Sequence, residues 1–288
     1  MQWILHFSPG ASVGLRTEIM IGYILVAAVV LSGVWIFFFP GWRRSWLLAK
    51  PFPAAWLAIV IRRIGFYRKL QPQEQKQLLD LIRLFIADKQ FFGCGGLQIN
   101  DEIRITIAAE ACLLLLNRTT SIYPDLHSIL VYPYAFIAAH DKPAADGVVT
   151  AGNQGLLGES WQNGKIILSW DDVEKGMADF HDGHNVVLHE FSHQLDSESG
   201  SANGLPLMRT SNIKQWAKVF SAGFAALNSA AARHQHSVMD YYGATNAAEF
   251  FAVATETFFE KPLQLQLKHP ELYAELEKYF KVDPSQWL

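Results

Sequence analysis

The run His189-Glu190-Phe191-Ser192-His193, entered through Val186-Val187-Leu188, sets the tightest condition on the fold. It reads H-E-x-x-H. On an α-helix, residues four apart lie almost above one another, roughly 6 Å along the axis. His189 and His193 therefore share a face and can close on one zinc ion. Glu190 is offset from that pair and can reach a water in an open metal position. Zinc lowers the pKa of such a water to about 7, and a neighbouring carboxylate can take its proton, which is the chemistry of a metallopeptidase. The plain alternative is a buried amphipathic helix with two satisfied histidines. On either reading the apolar lead-in puts this helix in a core.

A metal site needs a third ligand from elsewhere. The longer pattern H-E-x-x-H-x-x-G-x-x-H is broken, with Asp196 at the glycine and Ser199 at the last histidine. A second helix is expected from near Asn246 to Glu260, closed by Pro262. Glu249 and Glu256 are seven apart and share a face of it. A carboxylate on an otherwise apolar helix needs a cation, and zinc would supply one. Glu249 also fits a capping box with Asn246, and Glu256 is the rival ligand. Asp196 falls near the histidine face, where it could orient a ligand imidazole or end the helix before Ser197. Tyr242 could steady an oxyanion or simply occupy a turn before Gly243.

Several separated stretches resemble the Mlc titration factor A family of zinc peptidases. They are Val187 to Asp196 followed by Ala202-Asn203-Gly204-Leu205-Pro206; Phe92 to Leu97 leading into Ile107 to Leu115; Ile167 to Trp170; and Tyr242 to Glu249 followed by Phe250 to Val253. The resemblance runs from about Leu70 to the C-terminus. It implies a catalytic core similar to that of anthrax lethal factor. His189, His193 and Glu249 then match the zinc ligands, Glu190 the general base and Tyr242 the residue acting at the oxyanion. It also raises a transcriptional repressor as a partner, although no residue here encodes one.

Members of that family are typically soluble, whereas residues 19–39 here, IMIGYILVAAVVLSGVWIFFF, carry no charge. Such a run spans roughly 30 Å as a helix, enough for a hydrocarbon core. Signal peptides have shorter apolar regions and a small-residue cleavage site. The expectation is a retained transmembrane helix, after an N-terminal segment 1–18. Arg43, Arg44 and Lys50 follow it, then Arg62, Arg63, Arg68 and Lys69, while only Arg16 precedes it, beside Glu18. The positive-inside rule then gives a single pass through the inner membrane, with the following domain in the cytoplasm. Residues 40–69 are expected as a basic juxtamembrane linker, with Pro51 to Ile64 either on the membrane surface or an ordinary linker helix. Residues 70–288 are expected to form the metallopeptidase domain.

The formal net charge of −3 argues against general nucleic-acid binding. Cys94 and Cys112 are too few for a disulfide framework and are expected as buried thiols. Further helices are expected from Pro72 to Lys89, from a cap at Asp101 to Leu116, around Ile213 to Leu227, and from Pro270 to Phe280. Ile103, Ile105 and Ile107 also alternate as a strand would. Leu126 to Ala138 reads as extended. Lys165 to Trp170 reads as a strand leading toward the zinc helix, at a place where substrate could add as a further strand. His181, His184, His234 and His236 read as loop residues. The class is α+β, mainly helical with a small sheet. The function expected is peptide hydrolysis with one zinc per chain. A regulatory binding protein that sequesters a partner is the alternative.

Overall fold

The computed structural model describes residues 10–119, 121–134 and 164–287. The chain divides into two compact units, Met1–Pro51 and Phe52–Leu288.

Among the described residues, the first unit holds one helix, α1 (Gly10–Ala49), with Pro40 inside it. Proline cannot donate to the carbonyl four residues back, here Ile36, and its ring crowds that carbonyl. The pieces Met20–Ile36 and Phe38–Ala49 are bent by 41°. No single helix among the described residues is long and apolar enough to cross a membrane; only the two pieces of this bent pair taken together reach that length and apolar composition. Its large apolar side chains, including Ile24, Leu31 and Trp35, are exposed.

The second unit begins with α2 (Ala54–Arg63), which packs against α4 (Asp101–Leu113). Val60 is buried, Trp56 Nε1 donates to Asp101 Oδ2 at 2.9 Å, and Arg62 and Arg63 both pair with Glu102. Residues 52–69 are thus part of the compact unit, and two of the basic charges counted in the linker are matched by an acid of the domain.

Between them comes α3 (Pro72–Asp88), with Pro72 in its first turn and a reciprocal cap between Gln71 and Glu74. The α4 cap is Asn100, whose side chain accepts from Ile103 N, not Asp101 as expected; Asp101 and Glu102 lie in the first turn, where the helix dipole favours acids. The alternating isoleucines are helical because α4 is buried nearly all round, so its apolar residues show no single-face period.

Three parallel strands lie in the order β1 (Gln90–Gly93), β2 (Ser128–Tyr132), β3 (Lys165–Ser169). The β1 strand was hidden by its glycine. A Cβ at Gly93 would sit 1.9 Å from Leu97 O, so the close return of the chain demands glycine there. Residues 135–138 of the extended stretch expected to Ala138 lie outside the described residues. Strand β3 ends at Ser169, whose side chain caps α5 (Trp170–Ala178), a helix standing between β3 and the H-E-x-x-H helix. Trp170 therefore opens a helix instead of closing a strand.

The remaining helices are α6 (Val186–Ser197), α7 (Thr210–Ala232), α8 (Ala247–Glu260), α9 (Pro262–Lys268) and α10 (Pro270–Phe280). They make the class α+β, mostly helical. Val187, Leu188, Phe191 and Leu195 of α6 are fully buried. Helix α8 packs against α6 and is buried along nearly its whole length. Phe250, Phe251 and Phe258 of α8 meet Trp216 and Phe220 of α7 and Phe280 of α10 in an aromatic layer. Cys112 is buried and Cys94 half-buried, both as free thiols.

Gly204 links this layer to α6. Its carbonyl accepts from Trp216 Nε1 at 2.9 Å, and its amide donates to Asp196 Oδ2 at 2.7 Å. Its φ is +78°, and an added Cβ would lie 2.5 Å from Ala247 O. Gly204→Ala is expected to destabilise the domain by about 1–3 kcal/mol, since strain and overpacking act together. Denaturant unfolding measures this; a parent-like midpoint would show that the loop relaxes freely.

Candidate metal centre

The capping residue Asn185 starts α6: its side-chain oxygen accepts from Val187 N and Leu188 N. One turn later His189 and His193 project from the same face. Asn246 caps α8 by accepting from Glu249 N at 3.0 Å. The capping reading of Asn246 therefore holds for its own side chain. The Glu249 carboxylate is turned to the histidines.

His189 Nε2 and Glu249 Oε2 are 3.0 Å apart, His193 Nε2 and Glu249 Oε2 3.4 Å, and the two Nε2 atoms 3.2 Å. A tetrahedral ion with bonds of about 2.0–2.1 Å holds its ligands about 3.3 Å from one another. The three atoms thus outline one face of such a tetrahedron. These residues are the one group among those described able to hold a metal ion. The donor set, two imidazoles and a carboxylate, suits a catalytic ion that keeps a further position open.

Electrostatics agree with this geometry. Burial pushes His193 down to about 4, against the pull of Glu249, so its ring is neutral as a ligand must be. Burial would raise Glu249, but hydrogen bonds from both histidines outweigh it and hold the carboxyl at about 2. His189 is opposed by burial, yet the carboxylates of Glu256, Glu249 and Glu190 raise it well above the ordinary histidine value. Without metal, a proton on His189 takes the place of a cation. Metal uptake displaces that proton, so affinity falls as pH is lowered.

Glu256, the rival ligand, has a different place. Its Oε1 accepts from His189 Nδ1 at 2.7 Å. A carboxylate at that nitrogen fixes the ring's orientation and leaves Nε2 for the metal. Asp196, expected beside a ligand imidazole, is anchored instead to the loop after α6, with its Oδ2 accepting from Gly204 N at 2.7 Å. Burial outweighs the pull of the backbone amides at 203–205 and raises its carboxyl to about 6.

Glu190 is buried beside His189 on α6. Tyr242 lies in a 3-10 turn, Tyr241–Ala244, with its ring centroid 5.9 Å from that of His189. It is 41% exposed, so it borders the centre on the solvent side. His181, His184, His234 and His236 are exposed and outside the group. Sequence reasoning missed Asn185, Glu110 and Glu260. The signals were present: Asn185 precedes an apolar helix start, Glu110 is a lone acid in an apolar run, and Glu260 follows Glu256 by one turn.

Glu249→Ala is expected to abolish high-affinity metal binding, whereas Glu256→Ala should weaken it by about 10–100-fold. Competition against a metal-chelating dye measures both; equal losses would mean that the two glutamates had been given the wrong places.

The sequence matches the model for the glucose-regulated metallo-peptidase M90 family over residues 39–281. An uncharacterized protein of Synechocystis sp. is 42% identical over 245 residues, covering 84% of this chain and 89% of the relative. Mlc titration factor A of Pectobacterium atrosepticum is 31% identical over 218 residues, 75% of this chain and 82% of the relative. The Salmonella arizonae protein of that name is 29% identical over 238 residues, 82% and 94% of the two chains. With a His-His-Glu group in which His193 and Glu249 are buried, and a family match over most of its length, the chain belongs to the M90 metallopeptidases.

Proposed function

We propose that this chain is a zinc-dependent peptidase, with a catalytic core of the anthrax lethal factor kind. The observation that carries the reading is the convergence of His189, His193 and Glu249 within 3.0–3.4 Å, with the buried acid Glu190 beside them. His189, His193 and Glu249 would hold the ion. Zinc, when bound, supplies Lewis acidity and brings the pKa of a coordinated water to about 7. Glu190 takes a proton from the attacking water and passes it to the leaving amine nitrogen. The Tyr242 hydroxyl donates to the carbonyl oxygen as negative charge develops there. Glu256 holds the His189 ring in place through Nδ1.

Relatives named as titration factors favour a second reading, in which the chain captures a partner such as a transcriptional regulator. The Glu190 carboxyl speaks for the enzyme, because a purely structural metal site has no use for a base next to a ligand. Incubating the metal-loaded chain with a peptide library separates the two: cleavage at defined positions supports the enzyme, and intact peptides support the binder.

The proposed location is the inner membrane, with α1 as a single-pass anchor and the peptidase domain on the cytoplasmic side. The apolar exposed surface of α1 and the one-sided basic residues Arg43, Arg44 and Lys50 support it.

Glu190→Gln should retain metal and lose hydrolysis, because the base is not a ligand. Tyr242→Phe should retain metal and slow turnover by roughly 10²–10³. Parent-like cleavage in the first variant rejects the mechanism; in the second it returns Tyr242 to a turn residue. For topology, a reporter active only outside the cytoplasm, fused after Leu288, is expected to stay silent. An active reporter, with a mature N-terminus beyond Phe39, would identify residues 19–39 as a cleaved export signal.

A further inference from the structure

Behind the three ligand atoms lies a buried polar cluster that the hydrolytic mechanism does not use. Asn185 is 2% exposed, and each of its polar atoms is engaged. Its Oδ1 accepts from Val187 N at 3.1 Å and Leu188 N at 3.0 Å, and its carbonyl accepts from His189 N at 2.9 Å. Its Nδ2 donates to Glu110 Oε1 on α4 at 2.6 Å and to Glu260 Oε1 on α8 at 3.1 Å. Its amide donates to Glu256 Oε2 at 2.6 Å, and the other oxygen of that carboxylate accepts from His189 Nδ1. One residue thereby joins the start of the metal helix to α4 and α8.

The orientation of the Asn185 amide is forced. Its oxygen must face the two helix N–H donors, so its NH2 group must face the carboxyls. Serine could keep the cap but not the two donors. Glu110 has one hydrogen bond among the described residues, to Asn185, and its Oε2 has none. Burial outweighs the Asn185 bond and the Arg63 charge and raises Glu110 to about 8. Burial likewise raises Glu260 to about 9, with Asn185 opposing and Glu256, Asp182 and Glu110 adding to it. Near neutral pH both are held as neutral acids, for which glutamine is a close substitute.

We propose that Glu110, Asn185 and Glu260 form a clamp that positions α6 against α8, so that Glu110, a residue that ligates nothing, controls metal affinity. The inference rests on the metal-centre reading but not on hydrolysis. The three ligand atoms come from two helices, and their 3.0–3.4 Å spacing exists only while those helices keep their offset. A displacement of about 1 Å is enough to spoil such a constellation. Holding the offset in advance removes an ordering cost from metal binding. Glu110, Asn185 and Glu260 are positioning residues in this scheme, acting through Glu256 and the helix start.

The test uses the full-length chain, with Zn²⁺ affinity read by competition with a chromophoric chelator and unfolding of the metal-free chain followed in parallel. Glu110→Leu keeps the approximate volume and removes the acceptor, Glu110→Gln restores an acceptor, and Asn185→Ser keeps the cap and removes the Nδ2 group that reaches both carboxyls. The clamp predicts Zn²⁺ affinity weaker by about 10–100-fold in Glu110→Leu and Asn185→Ser, and within a few-fold of the parent in Glu110→Gln. Parent-like affinity in Glu110→Leu, even with lowered thermal stability, overturns the clamp, as does a Glu110→Gln variant as weak as Glu110→Leu. Should Glu110→Leu fail to fold, parent-like affinity in Asn185→Ser overturns it. A parent chain that takes up no Zn²⁺ removes the metal reading and the clamp together. Zn²⁺ binding with the predicted ranking but no peptide cleavage removes the peptidase reading alone and leaves the clamp standing.

Discussion

The carboxylate of Glu249 set against two imidazoles in a nearly dry core is the interaction on which the rest of the domain depends. A carboxyl cannot be taken from water without hydrogen bonds, and an ionised one needs several of them or a partner of opposite charge. Helix α8 buries three acids, Glu249, Glu256 and Glu260, along one side. Each has a partner from the α6 region: both histidines for Glu249, His189 Nδ1 and the Asn185 amide for Glu256, Gly183 N and the Asn185 side chain for Glu260. These pairings fix both the distance between α6 and α8 and their offset along the axis. The opposite side of α8 has no such demands and is filled by Phe250, Phe251 and Phe258, which supply the apolar burial that holds the helix in place.

The same arrangement gives the centre two unlike sides. Toward the protein lie Glu256, Asn185, Glu110 and Glu260, all buried. Toward solvent lies Tyr242, in a turn whose Gly243 packs closely on Leu227 and Val253. A ligand set rigid from behind and open in front suits a catalytic ion better than a structural one, which is closed on all sides.

Much of this was legible in the sequence, for reasons of periodicity. The three-to-four spacing of Leu78, Ile82 and Phe85, of Trp216 and Phe220, and of Leu272 and Leu276 marks helices that bury one stripe. The failures share a different physical cause. Where an element is buried on all sides, as α4 is, no stripe exists to be read, and cap and period compete. Strand β1 was obscured because Gly93 answers a tertiary contact with Leu97 O rather than a local preference. Asp196 was placed by helical angle alone, but the Gly204 amide claims it, and nothing in the spacing of α6 announces that loop.

The choice between Glu249 and Glu256 shows how far spacing can go. Seven residues along a helix are roughly 10 Å, and both glutamates face the same neighbour. Spacing therefore presents them as competitors for one ligand position. In the structure they grip the same imidazole from opposite ends, Glu249 at Nε2 and Glu256 at Nδ1. The two-turn interval is roughly what two glutamate side chains need to bracket one ring between them. One carboxylate completes the ligand triangle, while the other sets which nitrogen faces it. The same interval that left the ligand undecided in the sequence is what allows α8 to fill both roles.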